Sequence, residues 1–413
     1  MTVFEHNKVG GRVASVEING QTYDTGGIFF HNTNKLILHF LDVCDLKTKS
    51  SKTETVSVYK EHQLLYNAPI SFSVSSLYDH LKLLWKFGPV QLLKLQNLNK
   101  KNYDFERLYD ILQSGKGHFS VKNLLEDWNP EFLKLTTVSF EDYLRNVIGM
   151  DEQIVEELVS VFTVLIYGQK PSSIHSYAGD SILKFQDLKS FLVVEGGNVK
   201  IAECALKSSG AKLIRKEVKK ISKIKQQYKV DDSDELFDVL IIASPLTQDN
   251  SHLVFSGFLE EIYIPGSYIP MTATIVQGNL NMTALGIHSD MRSIFYFQVS
   301  TNFPIRSIEM LTYAEDDKPV YRIHSKDPIT DEFLQTIFVS INEVSRTDWI
   351  AVPKTQINPD LGSFQLSEGL YYINRIEMAL SSMEVSIVGA KNIANLIKSK
   401  YLNHTHVLPK TEL

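Results

Sequence analysis

The sequence predicts an α/β protein whose parallel-sheet scaffold is written in separate pieces, with a mixed helix-and-sheet region inserted between them. Three observations carry this. Val3-Phe4-Glu5 reads as a strand ending in an acid, and Gly10-Gly11-Arg12 follows as a tight turn. "FDVLIIASP" (237–245) is an unbroken apolar run stopped by Ser-Pro, the pattern of a parallel strand covered on both faces. Residues 365–402 read as a strand, a loop and a helix with small residues on one face. The scaffold pieces are residues 1–50, 191–250 and 361–403. The inserted pieces are 51–190 and 251–360, and 404–413 is a loose tail.

The elements follow in order. "RVASVEINGQTYDTGG" is a hairpin turned by Asn19-Gly20. "NKLILHFLDVCDL" (34–46) is a short amphipathic helix, and "VSVYKEHQLLYNAPI" (56–70) is a second hairpin. From about 75 to 170, apolar residues recur at three- and four-residue spacing, so the segment is helical. Ser139-Phe140-Glu141-Asp142 starts one helix as a capping box, and Gly168 with Pro171 ends "EQIVEELVSVFTVLIYG". Residues 211–245 form a strand, two meander strands and the apolar strand. Residues 267–350 alternate in patches, as a sheet with one or two helices.

Composition excludes several classes. Of 413 residues, 43% are hydrophobic and 22% charged, an ordinary globular balance. The net charge of −6 does not favour a nucleic-acid partner. No window of 18 residues is continuously apolar, so no transmembrane helix is expected. The first thirty residues lack the apolar core of a secretory leader. N-x-[ST] triplets at Asn281 and Asn403 are compatible with a secretory route, though chains of this length carry such triplets by chance. Cys44 and Cys204 permit one bridge, which the sequence leaves undecided.

Four constellations bear on function. Glu5, at a strand end before glycines, suits a carboxylate that binds a ribose hydroxyl pair; a solvated terminal acid is the plain alternative. Gly11 and Arg12 let the backbone approach a ligand and offer a cation to phosphate, and Gly26-Gly27 after the hairpin could do the same. Either pair alone reads better as an ordinary turn. Glu195-Gly196-Gly197-Asn198, after "FLVV", is a strand-to-helix junction with N–H groups that suit an anion, or else a simple helix entry. Glu377 would stand beside a helix start, with Ala379, Ser381 and Ser382 small enough for close approach of a cofactor. The alternative is a helix packed through small residues.

In order and spacing these residues resemble the FAD-dependent amine-oxidase-like flavoproteins, which share "FE…GGR", a Gly-Gly pair, a late "D-V-L-I-x-A-x-P" strand and a C-terminal "E-x-A-x-S" helix. Within that group the chain is most similar to prenylcysteine oxidases, through "GQTYDTGGIFFHNTNK", "LLWKFGP", "VLIYGQ", "VVEGGN", "YYINRIEMALSSMEVS" and the terminal "KTEL". The resemblance implies a Rossmann-like FAD-binding domain of the glutathione-reductase type, lacking its first strand and glycine loop. A mixed α+β substrate domain with inserted helices would complete the fold. It implies FAD as cofactor. Glu5 would bind the adenosine ribose, and the Val218 backbone would meet the adenine. Gly11 and Arg12 would lie near the pyrophosphate, and Gly26 and Gly27 near the flavin. Glu377 would face the ribityl–pyrophosphate region, with Ser382 and Met383 at the helix start. The implied substrate is a farnesyl- or geranylgeranyl-cysteine thioether. Hydride would leave the carbon beside sulfur, and water would trap the cation. The products are a prenyl aldehyde, free cysteine and, through molecular oxygen, hydrogen peroxide. Lysosomal location is also implied.

No Ser-His-Asp, Cys-His, C-x-x-C or H-E-x-x-H set is present, which suits chemistry that a cofactor carries. No catalytic residue and no metal ligand stand out. His31 reads best as a structural histidine. Helices at 75–165 would line an apolar tunnel for the isoprenoid, or simply form a helical core. The chain departs from the pattern in having no G-x-G-x-x-G, so an N-terminally truncated form is expected. Two other functions stay open: another flavin oxidase of the same fold, and a non-catalytic form that binds lipid or protein.

Overall fold

The computed structural model describes residues 1–6, 8–50, 55–60, 63–69, 77–99, 105–183, 190–247, 253–287, 293–297, 303–312 and 319–402. The Asn403 triplet and the "KTEL" tail lie outside them.

Asn19 and Gly20 both take positive φ (49° and 71°), so strands Ser15–Ile18 and Gln21–Asp24 close as a two-residue hairpin. Upstream, Thr2–Glu5 pairs in parallel with Lys212–Arg215, setting Glu5 opposite Arg215. Leu240–Ile242 pairs in parallel with Leu370–Tyr372. The scaffold's parallel strands therefore come from three distant parts of the chain. The "FDVLIIASP" run departs from the expected long covered strand. It splits into Leu236–Phe237 and Leu240–Ile242, and Ile241 is 43% exposed. Leu240–Ile242 is an edge strand with one strand neighbour among the described residues, and its side chains alternate, Ile242 buried and Ile241 facing out.

A seven-stranded sheet takes strands from residues 55–69 and from 268–353. Its longest members, Tyr268–Leu280 and Phe338–Pro353, run antiparallel over nearly their whole length. Ser293–Phe297 joins Thr55–Lys60 in parallel and so unites the two portions. The short helix Asp331–Ile337 is capped by Thr330. At the end of the sheet formed by Thr55–Lys60 and the edge strand Gln63–Pro69, helices between 77 and 183 bury a continuous apolar cluster that includes Phe140, Leu144, Val159, Tyr167 and Ile174. Ser139 caps its helix by accepting from the Asp142 N–H at 2.9 Å. The apolar helix ends where Gly168 takes φ 66°, but it is not uniform, because Val155–Val159 forms a π-turn within it. Asn281 caps a turn, its Oδ1 accepting from the Ala284 N–H at 3.0 Å.

Cys44 and Cys204 form the disulfide that the sequence left undecided. It ties the end of helix Lys35–Val43 to helix Val199–Ser208 across a separation of 160 residues. Reduction, or Cys44→Ser with Cys204→Ser, is expected to lower stability by about 2–4 kcal/mol. Urea unfolding with and without reductant measures it, and coincident curves would show that the bridge does not constrain the unfolded chain.

Candidate functional site

Two groups of the expected site residues come together. The first is at the carboxyl end of the Thr2–Glu5 and Lys212–Arg215 strands. Glu5 closes its strand and its carbonyl accepts from Lys216 N–H at 3.2 Å. Val218 follows three residues after Arg215, half-buried against Ile221 and Tyr228. A carboxylate and an exposed stretch of backbone thus flank the same strand ends, where open α/β sheets bind ligands.

The second group is built around the Gly10–Arg12 turn. Gly10 (φ 107°) and Gly11 (φ 52°) need left-handed backbone; a Cβ on Gly11 would meet nothing within 4 Å, so this backbone faces open space. The Gly26-Gly27 loop presses on the same turn. A Cβ on Gly26 would stand 2.6 Å from the Arg12 carbonyl oxygen and from the Trp349 ring. One on Gly27 would lie 3.3 Å from Met383 Sδ and 3.4 Å from the Arg12 oxygen. Ser382 caps the helix Met383–Ile397 by accepting from the Val385 N–H at 3.2 Å. That sets Met383 at the positive end of a 15-residue helix, beside the glycine loop.

Arg12 and Glu377 are engaged with each other. The guanidinium makes two hydrogen bonds to the carboxylate, one of 2.8 Å, in bidentate geometry. Glu377 lies in a 3-10 turn (Ile373–Met378) and is almost wholly buried. Tyr268 Oη donates to it at 3.0 Å, and the Tyr268 ring lies under the guanidinium, 5.6 Å from it. Tyr372 Oη stands 3.4 Å from Tyr268 Oη and binds Leu246 through both its N–H and its carbonyl, at 3.0 and 2.9 Å. Burial opposes the charge on Arg12, but Glu377 beside it more than offsets this and its pKa is raised. Burial, with Glu377 next, pushes the Tyr268 phenol well up. The phenol therefore stays protonated and donates. This network joins the Gly10–Arg12 turn, the long strand of the seven-stranded sheet, the Leu246 segment and the C-terminal piece.

The Glu195–Asn198 junction differs from the anion-site reading. The Gly197 N–H bonds the Val194 carbonyl at 3.0 Å, and the Asn198 N–H bonds Asp24 Oδ1 at 3.0 Å. Both donors are consumed inside the protein. The junction holds the glycine loop instead: Asn198 Nδ2 donates to the Gly27 and Ile28 carbonyls at 2.7 and 2.8 Å. His31 lies on the short strand Phe30–His31. Its Nδ1 is 2.7 Å from Thr33 Oγ1, and its ring packs edge-on against Phe191.

Sequence reasoning passed over Tyr268, Trp349 and Glu384, and it named Asn198 only as part of a helix-entry junction. The buried Glu384 carboxylate accepts from the Leu36 and Ile37 N–H groups at 2.9 and 3.0 Å and from Tyr109 Oη at 2.6 Å, capping helix Lys35–Val43 from 347 residues away. Only Asn198 had a local signal, as a cap-type residue after two glycines.

A model of the prenylcysteine lyase family matches residues 71–410. The chain belongs to the prenylcysteine lyase family. Curated relatives in the same group extend the match to the whole chain. A human protein named prenylcysteine oxidase 1-like is 27% identical, covering 100% of this chain and 87% of its own length. Prenylcysteine oxidase 1 of Bos taurus is 26% identical, over 100% and 85%. Among solved structures, cyclohexylamine oxidase from Brevibacterium oxydans superposes with a TM-score of 0.64 at 14% identity, covering 97% of this chain and 94% of that one. A fatty acid isomerase from P. acnes that produces CLA does so with 0.64 at 13%, over 97% and 92%. These neighbours establish an amine-oxidase-type α/β fold for this member of the prenylcysteine lyase family. Val218, Glu377, Ser382 and Met383 fall inside the family match. Glu5, Gly11, Arg12, Gly26 and Gly27 precede it and are covered by the full-length relatives.

One buried histidine touches the site. His175 Nδ1 accepts from the Ala178 N–H at 3.2 Å, which puts the ring proton on Nε2, facing the Met378 carbonyl at 3.3 Å. Burial lowers its pKa to about 4; in the seven-stranded sheet, burial with Arg322 and Arg306 lowers that of His324 to about 3. Both are neutral in the fold, while the unfolded chain protonates near 6.5. Their contribution is complete above about 6.5 and is lost as pH falls, because the unfolded state takes up protons first. The melting temperature is expected to drop as pH falls from about 6.5 toward 4, and less so in His175→Gln with His324→Asn. Equal slopes for both proteins would remove these histidines as the cause.

Proposed function

We propose that the chain is a FAD-dependent oxidase of prenylcysteine thioethers. The observation that carries this is the convergence of the Gly26-Gly27 loop, the Gly10–Arg12 turn and Met383 within contact distance, in a chain aligned end to end with prenylcysteine oxidases. The residues fit a flavin dinucleotide. Glu5 offers a carboxylate for ribose hydroxyls at a strand end, and Val218 offers backbone for the adenine edge beside it. Gly11 leaves its backbone open to a phosphate. Ser382 fixes a helix whose first N–H groups favour negative charge near Met383. Arg12 and Glu377 hold the turn in place rather than reaching the ligand.

When bound, the flavin would take the hydride from the carbon beside sulfur and return the electrons to oxygen as hydrogen peroxide. The chain's own work is orientation and exclusion of water. Gly26 and Gly27 permit close approach of the ring system, while Trp349 and Met383 wall it. A cation next to sulfur is already stabilised, so no strong base is required of the protein.

The test is anaerobic addition of farnesylcysteine to the FAD-loaded chain. Bleaching of the flavin band with release of one thiol per flavin supports the proposal. Flavin that binds but stays oxidised would move the chain to another substrate. Failure to bind flavin at all would favour the non-catalytic reading.

A further inference from the structure

The helical pair Leu77–Phe87 and Pro89–Asn99 carries an apolar face that no part of the described chain covers. Gly88 (φ 77°) turns one helix into the next, and its N–H caps the first by bonding the Leu84 carbonyl at 2.9 Å. The inner faces are ordinary core: Phe87, Leu95 and Leu98 are buried with Val56, Tyr66 and Tyr143. The outer faces are not polar. Leu77, Tyr78, Leu81 and Trp85 follow one another at helical spacing, and Val90 and Leu93 continue the patch on the second helix. All are exposed, Trp85 at 90% and Tyr78 at 66%. A scattered surface leucine means little, but a contiguous patch with a fully projecting tryptophan marks an interaction surface.

Charge selects the partner. The protein carries −6 overall, yet residues 77–99 hold three lysines and one aspartate; Lys86 is paired with Glu157 at 2.7 Å, which leaves Lys82 and Lys94 to make the helical pair basic. Asp79 is half-buried, 3.4 Å from Asn67 Nδ2, so it does not lead the outward face. Lys82 does, with its ammonium 4.3 Å from the Tyr78 ring centre. A projecting Trp and Tyr among leucines, edged by lysine, is the pattern of helices that lie in the headgroup region of a bilayer. A two-fold contact through the same face would set one basic patch against another. We infer that this helical hairpin is a membrane-docking surface, which inserts Trp85 and its neighbours into an anionic lipid interface. The inference stands apart from the proposed chemistry, since binding is read without turnover. If both hold, docking places the apolar helical cluster, against which Phe29 packs two residues beyond Gly27, at the surface where a prenyl chain partitions.

The 413-residue chain is floated with vesicles of phosphatidylcholine and of phosphatidylcholine with phosphatidylserine, and its tryptophan emission is followed. Of the three tryptophans Trp85 dominates any shift, because Trp128 is buried and Trp349 is half-buried against the Gly26 loop. The expected result is co-flotation with the anionic vesicles and a blue shift. Leu81→Ser with Trp85→Ser should lower partitioning by at least about tenfold at unchanged thermal unfolding. Lys82→Glu should weaken binding to the anionic vesicles alone. A chain that stays unbound, or a double variant that floats as well as the parent, overturns the inference. A concentration-dependent dimer that the double variant abolishes, with no vesicle binding, overturns it in favour of a second copy.

Discussion

Asn198→Asp, a change of one side-chain atom, is expected to cost about 3–5 kcal/mol and to release the Gly26-Gly27 loop. Asn198 is fully buried and uses both ends of its amide. The oxygen accepts from the Val194 N–H at 2.8 Å, and the nitrogen donates to the Gly27 and Ile28 carbonyls. An aspartate keeps the first bond and loses both others. It sets a buried carboxylate against two carbonyl oxygens, close to Asp24, whose Oδ1 already accepts from the Asn198 backbone. Burial already raises the pKa of Asp24, partly offset by its hydrogen bonds from Ser15 and Asn198 and by Arg322 and Lys49, so a second acid would share cations that already serve one carboxylate. Asn198→Ala should cost less, because it orphans the same carbonyls without adding charge. Urea midpoints rank the three proteins, and flavin content per chain reads the loop. If Asn198→Asp unfolds with the parent, the loop is not held by this amide. If it is destabilised yet keeps full flavin content, the loop is not part of the cofactor site.

Arg12→Met is expected to be the next largest loss, again about 3–5 kcal/mol, because it strands a buried carboxylate. The asymmetry of the pair is the diagnostic. Glu377 has 1% of its side chain exposed and Arg12 has 21%. When Glu377 is replaced by Met, Arg12 can turn to water. When Arg12 is replaced, Glu377 keeps only the Tyr268 hydroxyl. The order expected is Arg12→Met worse than Glu377→Met, with the double variant recovering part of the loss. Equal and additive effects would mean that the two groups do not depend on each other. An Arg12→Met protein of parental stability but lower flavin content would return Arg12 to a ligand-binding role.

What the sequence revealed was what neighbours in the chain decide. Asn19-Gly20 turned its hairpin, Ser139 and Gly168 bounded helices, and Ser382 opened the last helix, because each acts within a few residues of itself. The family resemblance was legible over the full length for the same reason, as short motifs in order. The joints were not legible. Glu377 read as a carboxylate for a cofactor, but whether Arg12 takes it depends on a contact across 365 residues. Glu384 looks like any surface acid in "SSMEVS" until helix Lys35–Val43 is brought to it. Glu195–Asn198 read as an anion site because its N–H groups looked free, and they are consumed by Val194 and by Asp24 from a hairpin 174 residues away. Ile241 read as covered because an apolar run records propensity and not which strand lies alongside.

The Arg12–Glu377 and Leu36–Glu384 joints also carry a timetable. A ribosome making about 5–20 residues per second needs on the order of 20–70 s to pass from the first partner of such a pair to the second. Throughout that interval Arg12 and Leu36 lack the carboxylates that anchor them, and Cys44 waits for Cys204 over the 160 residues that separate the two. The segment that holds Arg12 and Leu36 therefore gains its anchoring contacts only after the segment that holds Glu377 and Glu384 has been made.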